Sequence, residues 1–174
     1  KCTMRVGRKH ITVLAKEFTV SGTRVETRLF MRHPDGGWGG YSYRWNDAGT
    51  EATLLETRDE RLVSGTAWSF PSRGDCMTCH TQAAGYSLGL ELGQLDRNAF
   101  YPATGRNAPQ VATLAAIGMF DGAVPGTFAT FPYPHDTTKP VTERARAYLH
   151  GNCSGCHRPG AVGLADFRFG TSFA

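Results

Sequence analysis

The chain has no uninterrupted apolar run approaching the ~20 residues of a membrane helix, and no leader-like segment heads it. Lys1 is therefore expected to be a processed end or the start of a fragment. Charge of one sign is also scarce. A formal net charge of +4 over 174 residues gives no basic face of the kind nucleic acid requires. Low-complexity linkers are absent, and no internal repeat exists beyond one pentapeptide. Cysteine is the most telling scarcity, with five residues in all, four of them concentrated in two short stretches.

Those stretches are Cys76-Met77-Thr78-Cys79-His80 and Cys153-Ser154-Gly155-Cys156-His157. Cys-x-x-Cys-His is the pattern of covalent c-type haem attachment. Two thiols one helical turn apart can each bond a haem vinyl group, and the following imidazole is placed to ligate the iron. Cys76, Cys79, Cys153 and Cys156 are thus the expected thioether residues of two haems, with His80 and His157 as proximal ligands. Other chemistries match less well. A zinc ribbon brings its two Cys-x-x-Cys pairs within about 15–20 residues of each other, far closer than Cys79 and Cys153. A thioredoxin-like site needs a single pair in a strand–helix setting, whereas Pro71-Ser72-Arg73-Gly74-Asp75 reads as a turn. Structural disulfides leave both histidines unexplained. Cys2 has no evident partner and is expected as a free or terminal thiol.

Haem of this type is attached on the oxidising side of a membrane, which implies a periplasmic or extracellular location. Two haems carry about four propionate carboxylates, offsetting most of the positive charge at neutral pH. Arg73, Arg97, Arg106 and Arg158 are candidates to pair with propionates, or else simply solvated.

The expected fold is α+β: a small antiparallel β unit over residues 1–66, then a loop-rich, mostly α-helical dihaem region over 67–174. Ile11 to Val20 is rich in β-branched and aromatic residues, and Ser21-Gly22 turns the chain. Val25, Thr27, Leu29 and Met31 alternate with Arg24, Glu26 and Arg28, the period of a half-buried strand. Pro34-Asp35-Gly36-Gly37 reads as a hairpin loop. Tyr41, Tyr43 and Trp45 share one face, expected as sheet core or as a haem cover. Asn46-Asp47-Ala48-Gly49 turns again before a return strand over Ala52 to Leu55. Past Trp68 the strand signals fade. Asn107 is expected to cap a helix with Val111, Leu114, Ala115 and Gly118 at helical spacing. Val141, Ala145, Tyr148 and Leu149 repeat that spacing before the second motif. Glycine, 21 residues of 174, is well above the roughly 7% usual. That suits loops wrapped on a prosthetic group.

Distal ligands are less constrained by pattern. Met119 lies thirty-nine residues after His80 at the end of the helix expected from Asn107, and its thioether would raise the first haem's potential. A methionine there also serves as core filler. His150, seven residues before His157, is badly placed for its own haem but able to reach the first; the bland alternative is a surface histidine near a helix C-terminus. His10, His33 and His135 are the remaining spare histidines.

Several words flanking the motifs carry a resemblance. They are Tyr41-Ser42-Tyr43-Arg44-Trp45-Asn46-Asp47 with Thr50-Glu51-Ala52-Thr53-Leu54-Leu55, Trp68-Ser69-Phe70-Pro71-Ser72-Arg73, Ala84-Gly85-Tyr86-Ser87-Leu88-Gly89-Leu90-Glu91-Leu92-Gly93-Gln94-Leu95, and Ala145-Arg146-Ala147-Tyr148-Leu149-His150-Gly151-Asn152. The chain resembles a bacterial family of dihaem c-type domains found beside sugar-dehydrogenase-like β-propellers that use pyrroloquinoline quinone (PQQ). The resemblance implies an electron-transfer module fed by a redox partner protein such as a PQQ-dependent dehydrogenase. Such domains commonly continue past the second motif through a methionine-bearing segment, so a sequence stopping at Ala174 is expected to be truncated. Three function classes follow: an electron carrier, a peroxidase-like dihaem enzyme with one open iron, and a haem-bearing structural subunit of a larger complex. The carrier needs the fewest additional parts.

Overall fold

The computed structural model describes residues 13–120 and 122–172; Cys2 and His10 lie outside them. The chain divides into two compact units, with the division falling between Cys79 and His80, whereas the change of sequence character falls at 66/67. Among the described residues no helix is long and apolar enough to cross a membrane.

The N-terminal unit begins with a four-stranded antiparallel sheet in simple order: β1 (Val13–Val20), β2 (Thr23–Arg32), β3 (Trp38–Trp45) and β4 (Ala52–Leu55). Ser21 and Gly22 have φ of 48° and 80°, the left-handed pair that a two-residue hairpin turn demands. The register of β1 against β2 slips between Phe18 and Thr19, so that Phe18 opposes Glu26 while Thr19 opposes Arg24. Val25 is the extra residue of this β-bulge. A bulge breaks strict alternation, and the consecutive residues Val25 and Glu26 are both fully buried.

The bulge corrects the expected facing of the sheet. The covered face of β2 and β3 carries Glu26, Phe30, Gly40 and Ser42, all buried, while Tyr41, Tyr43 and Trp45 on the other face are only half-buried. The aromatic stripe is therefore not the core. Its rings are engaged locally instead. Arg24 lies 4.5 Å from the Trp45 ring centroid and Arg73 lies 4.8 Å from that of Tyr41.

A second hairpin, β5 (Asp59–Val63) and β6 (Thr66–Phe70), completes this unit. Its turn, Ser64-Gly65 with φ of 47° and 76°, repeats the chemistry of Ser21-Gly22. Val63 and Phe70 pack on Val25, with Val20, Leu55 and Trp68 around them. At the centre of the unit the Glu26 carboxylate accepts hydrogen bonds from Arg28 (2.7 and 2.8 Å), Ser42 Oγ (2.6 Å) and Trp68 Nε1 (3.0 Å). A buried carboxylate is tolerable only when matched in this way. Helix α1 (Arg73–Cys79) then carries the first cysteine pair.

The C-terminal unit contains α2 (Leu92–Leu95), the hairpin β7 (Asn98–Tyr101) with β8 (Arg106–Pro109), α3 (Gln110–Ala116) and α4 (Val141–Cys153). This overturns the expected mostly α-helical region. Over the described residues the chain is 31% strand and 19% helix, with three sheets, and α4 is the one helix there longer than seven residues. Local chemistry explains the difference. Asn107 pairs with Phe100 inside the β7–β8 hairpin, so the helix starts only after Pro109. It stops at Gly118, whose φ is 71°. The Met119 N–H bonds the Leu114 carbonyl and the Gly118 N–H bonds that of Ala115, a Schellman closure.

Candidate functional site

The start of α1 is set by reciprocal capping. Ser72 Oγ accepts from the Asp75 N–H (3.2 Å), and the Asp75 carboxylate accepts from the Ser72 N–H (2.9 Å) and hydroxyl (2.8 Å). This is a capping box with aspartate in the glutamate position. The Arg58 guanidinium also binds Asp75 (2.8 and 3.2 Å). Arg58, then Ser72, holds the Asp75 carboxyl well below the usual carboxylate range. The cap thereby fixes where Cys76 and Cys79 lie along the helix.

Of this pair, Cys79 is exposed and Cys76 half-buried. Cys76 rests on β3 at Gly40, where a Cβ would come within 2.6 Å of its sulfur. Burial pushes the Cys76 thiol pKa up.

His80 opens the C-terminal unit, and its Nδ1 lies 2.6 Å from the Tyr86 carbonyl oxygen. A carbonyl only accepts, so Nδ1 carries a proton, which in the neutral ring leaves the lone pair on Nε2. That is the tautomer an iron-ligating imidazole needs, with the outer partner that such ligands characteristically have. Tyr86 occupies the left-handed region, φ 65°, directly after Gly85 at 74°. A tyrosine there carries roughly 1–3 kcal/mol of strain. The turn is held by the Tyr86 N–H to Thr81 O and the Gly85 N–H to Gln82 O, both 2.9 Å.

The second motif closes α4. Its final turn is satisfied by Ser154, whose N–H reaches Leu149 O and whose hydroxyl donates to His150 O at 2.7 Å. Arg158 bonds the Ser154 carbonyl and hydroxyl, a cation over the helix C-terminus. Cys153 and Cys156 are free and half-buried. The N–H groups of Cys156 and His157 both return to Cys153 O, at 3.1 and 2.9 Å. The His157 ring stacks on Phe167 with centroids 4.6 Å apart and planes 29° apart. Its Nδ1 is buried and has no hydrogen-bond partner. Gly163 crosses the ring so closely that a Cβ there would sit 2.5 Å from Nδ1.

The remaining candidates are distributed differently. Met119 is half-buried just beyond α3, where its backbone closes the helix. His150 is an inward-facing anchor. Its Nδ1 accepts the Phe169 N–H at 2.8 Å and its Nε2–H donates to Glu91 at 2.7 Å, while its ring meets Phe131 edge-on at 4.6 Å. That hydrogen bond holds Glu91 below the ordinary glutamate range. To ligate an iron, His150 must first release one of these partners. His33 Nε2 lies 2.9 Å from the Tyr41 hydroxyl, and His135 stacks on Tyr133. Arg97 lies over the Tyr133 ring and bonds Phe131 O at 3.0 Å, and Arg106 is exposed on β8. A groove of about 310 Å³ between α4 and residues 131–134 reaches Gly151 and Asn152, beside Cys153. Among the described residues no three His, Cys, Asp or Glu side chains converge as around a bare metal ion.

Four supporting residues escaped the sequence reading. Asp75 had a usable signal, since Ser-x-x-Asp ahead of a helix is a capping pattern. Tyr86, Glu91 and Gly163 had none, because their roles come from tertiary contacts. No protein-family model matches the chain, and neither a curated protein nor a solved structure matches it.

Proposed function

We propose that the chain is a dihaem c-type electron-transfer module of the periplasmic or extracellular space. Cys76 and Cys79 would bond one haem and Cys153 and Cys156 the other, with His80 and His157 as proximal ligands. The residues fit that group. The four cysteines stand in two Cys-x-x-Cys-His motifs, and His80 already holds the ligating tautomer through Tyr86. That hydrogen bond, within a motif that occurs twice, is the observation that carries the reading.

A bound haem supplies one-electron chemistry at iron; the chain's part is to hold, orient and shield it. The Ser72–Asp75 cap positions the first thiol pair, and Arg158 with Ser154 stabilises the helix end carrying the second. Tyr86 holds the proton on His80 Nδ1, and Phe167 with Gly163 fixes the plane of the His157 ring. Met119 is the stronger candidate distal ligand, since His150 is engaged at both nitrogens. By the resemblance, the donor would be a PQQ-dependent dehydrogenase or a similar redox partner protein.

The engagement of His150 gives the peroxidase-like alternative its one support, because it withdraws a ligand that would otherwise close an iron. Carbon monoxide binding to the reduced protein separates the two readings. The carrier is expected to stay low-spin and inert at both irons. Carbon monoxide uptake at one haem, together with peroxide turnover, would instead make it an enzyme.

A further inference from the structure

The two proximal histidines do not have equivalent surroundings. The His80 ring donates from Nδ1 to the Tyr86 carbonyl at 2.6 Å, through a turn in which both Gly85 and Tyr86 take positive φ. The His157 ring has no acceptor at Nδ1, although that atom is buried. Packing holds it instead, through the Phe167 stack and the close approach of Gly163 to Nδ1 and Cγ. One imidazole is oriented by a hydrogen bond, its counterpart by shape alone.

The difference has an electronic consequence. An Nδ1–H that donates to a carbonyl makes the imidazole a stronger base at Nε2, and a stronger axial donor favours the oxidised iron. An Nδ1–H with no acceptor gives its ring no such push. Nor does any hydrogen bond at Nδ1 fix the tautomer of His157.

Resting on the dihaem reading above, we infer that, with the same sixth ligand on both irons, the haem held by Cys76, Cys79 and His80 has the lower reduction potential and the haem at Cys153, Cys156 and His157 the higher. Tyr86 is a positioning residue for this difference, acting through the His80 ring.

The test is a redox titration of the intact two-haem protein with imidazole at a concentration that displaces the native sixth ligands, so that both irons carry the same one. Haem methyl signals are assigned by their proximity to Tyr86 or to Phe167 and followed by NMR. The Phe167-side haem is expected to be reduced first as the potential is lowered, and the Tyr86-side haem second. Simultaneous reduction or the opposite order overturns the inference while leaving the dihaem reading intact. A protein whose mass shows no covalent haem overturns both.

Discussion

The N-terminal unit makes its own interior; the C-terminal unit does not. Val25, Val63 and Phe70 form a buried cluster in the first, and the Glu26 carboxylate beside them is matched by three side-chain partners. In the second, the buried apolar side chains among the described residues are Ala84, Phe131 and Ala147, and nine of the eleven exposed large hydrophobic residues described belong to it. They include Leu88, Leu90, Val162 and Leu164, close in sequence to His80 or His157. Exposed apolar side chains near both motifs are ones that a large apolar group could cover. A sheet can close over its own side chains, whereas loops and short helices bury little without a large apolar object among them. Two porphyrins would be such objects.

The sharpest way to break this contrast is to remove one attachment site. Cys153→Ala with Cys156→Ala is expected to abolish hydrogen-exchange protection in α4 and the segment after it, while strands β1 to β6 keep theirs. Equal protection in both units before and after the change would show that the C-terminal unit needs no haem. Next in size is Glu26→Ala, which strands Arg28, Ser42 and Trp68 at once. Removing one partner of a buried pair costs about 3–5 kcal/mol. Arg28 retains access to water, its side chain being 35% exposed, which argues for about 3 kcal/mol in denaturant unfolding of the N-terminal unit. A loss below about 1 kcal/mol would mean that the carboxylate network is dispensable.

Two glycines sharpen the comparison further. Gly40→Ala would press on Cys76 from the sheet, and Gly163→Ala would press on His157 from a loop. Overpacking costs about 1–3 kcal/mol where the surroundings are rigid. The full cost is expected at Gly40, measured by thermal unfolding. At Gly163 the loop gives way, so the change should appear mainly as an altered spectrum of the second haem. The smallest effect concerns acid. Glu91 has its pKa lowered on folding by His150, so its contribution is present above the ordinary glutamate value and lost as pH falls through the lowered one. With Glu91 41% exposed, solvent screening keeps this below about 1 kcal/mol. Glu91→Gln should flatten that part of the stability–pH curve; an unchanged curve would remove Glu91 as its source.

What could be read in advance divides along physical lines. Turn chemistry is local, so Ser21-Gly22 located the β1–β2 hairpin, and Asn46 to Gly49 located the turn before β4. The same dipeptide logic applied to Ser64-Gly65 would have revealed β5 and β6. The facing of the sheet was not legible, because the bulge at Val25 arises from how β1 and β2 register, and it buries a glutamate where alternation favours valine, leucine and methionine. The helix expected from Asn107 is present as α3, but it starts at Gln110 for a related reason: pairing of Asn107 with Phe100 outweighs a weak capping preference. The candidate attachment residues stood out because covalent haem attachment would demand fixed spacing. Their supports, Tyr86 and Gly163, were not, since a carbonyl or a bare α-carbon leaves no signature in side-chain type.

The most direct test of the central claim is the intact mass of the denatured protein, read beside its alkaline pyridine haemochrome spectrum. Two covalently bound haems per chain are predicted, one lost when Cys76 and Cys79 are replaced and the other when Cys153 and Cys156 are replaced. A chain exported through a competent haem-attachment system that still carries one haem or none would contradict it.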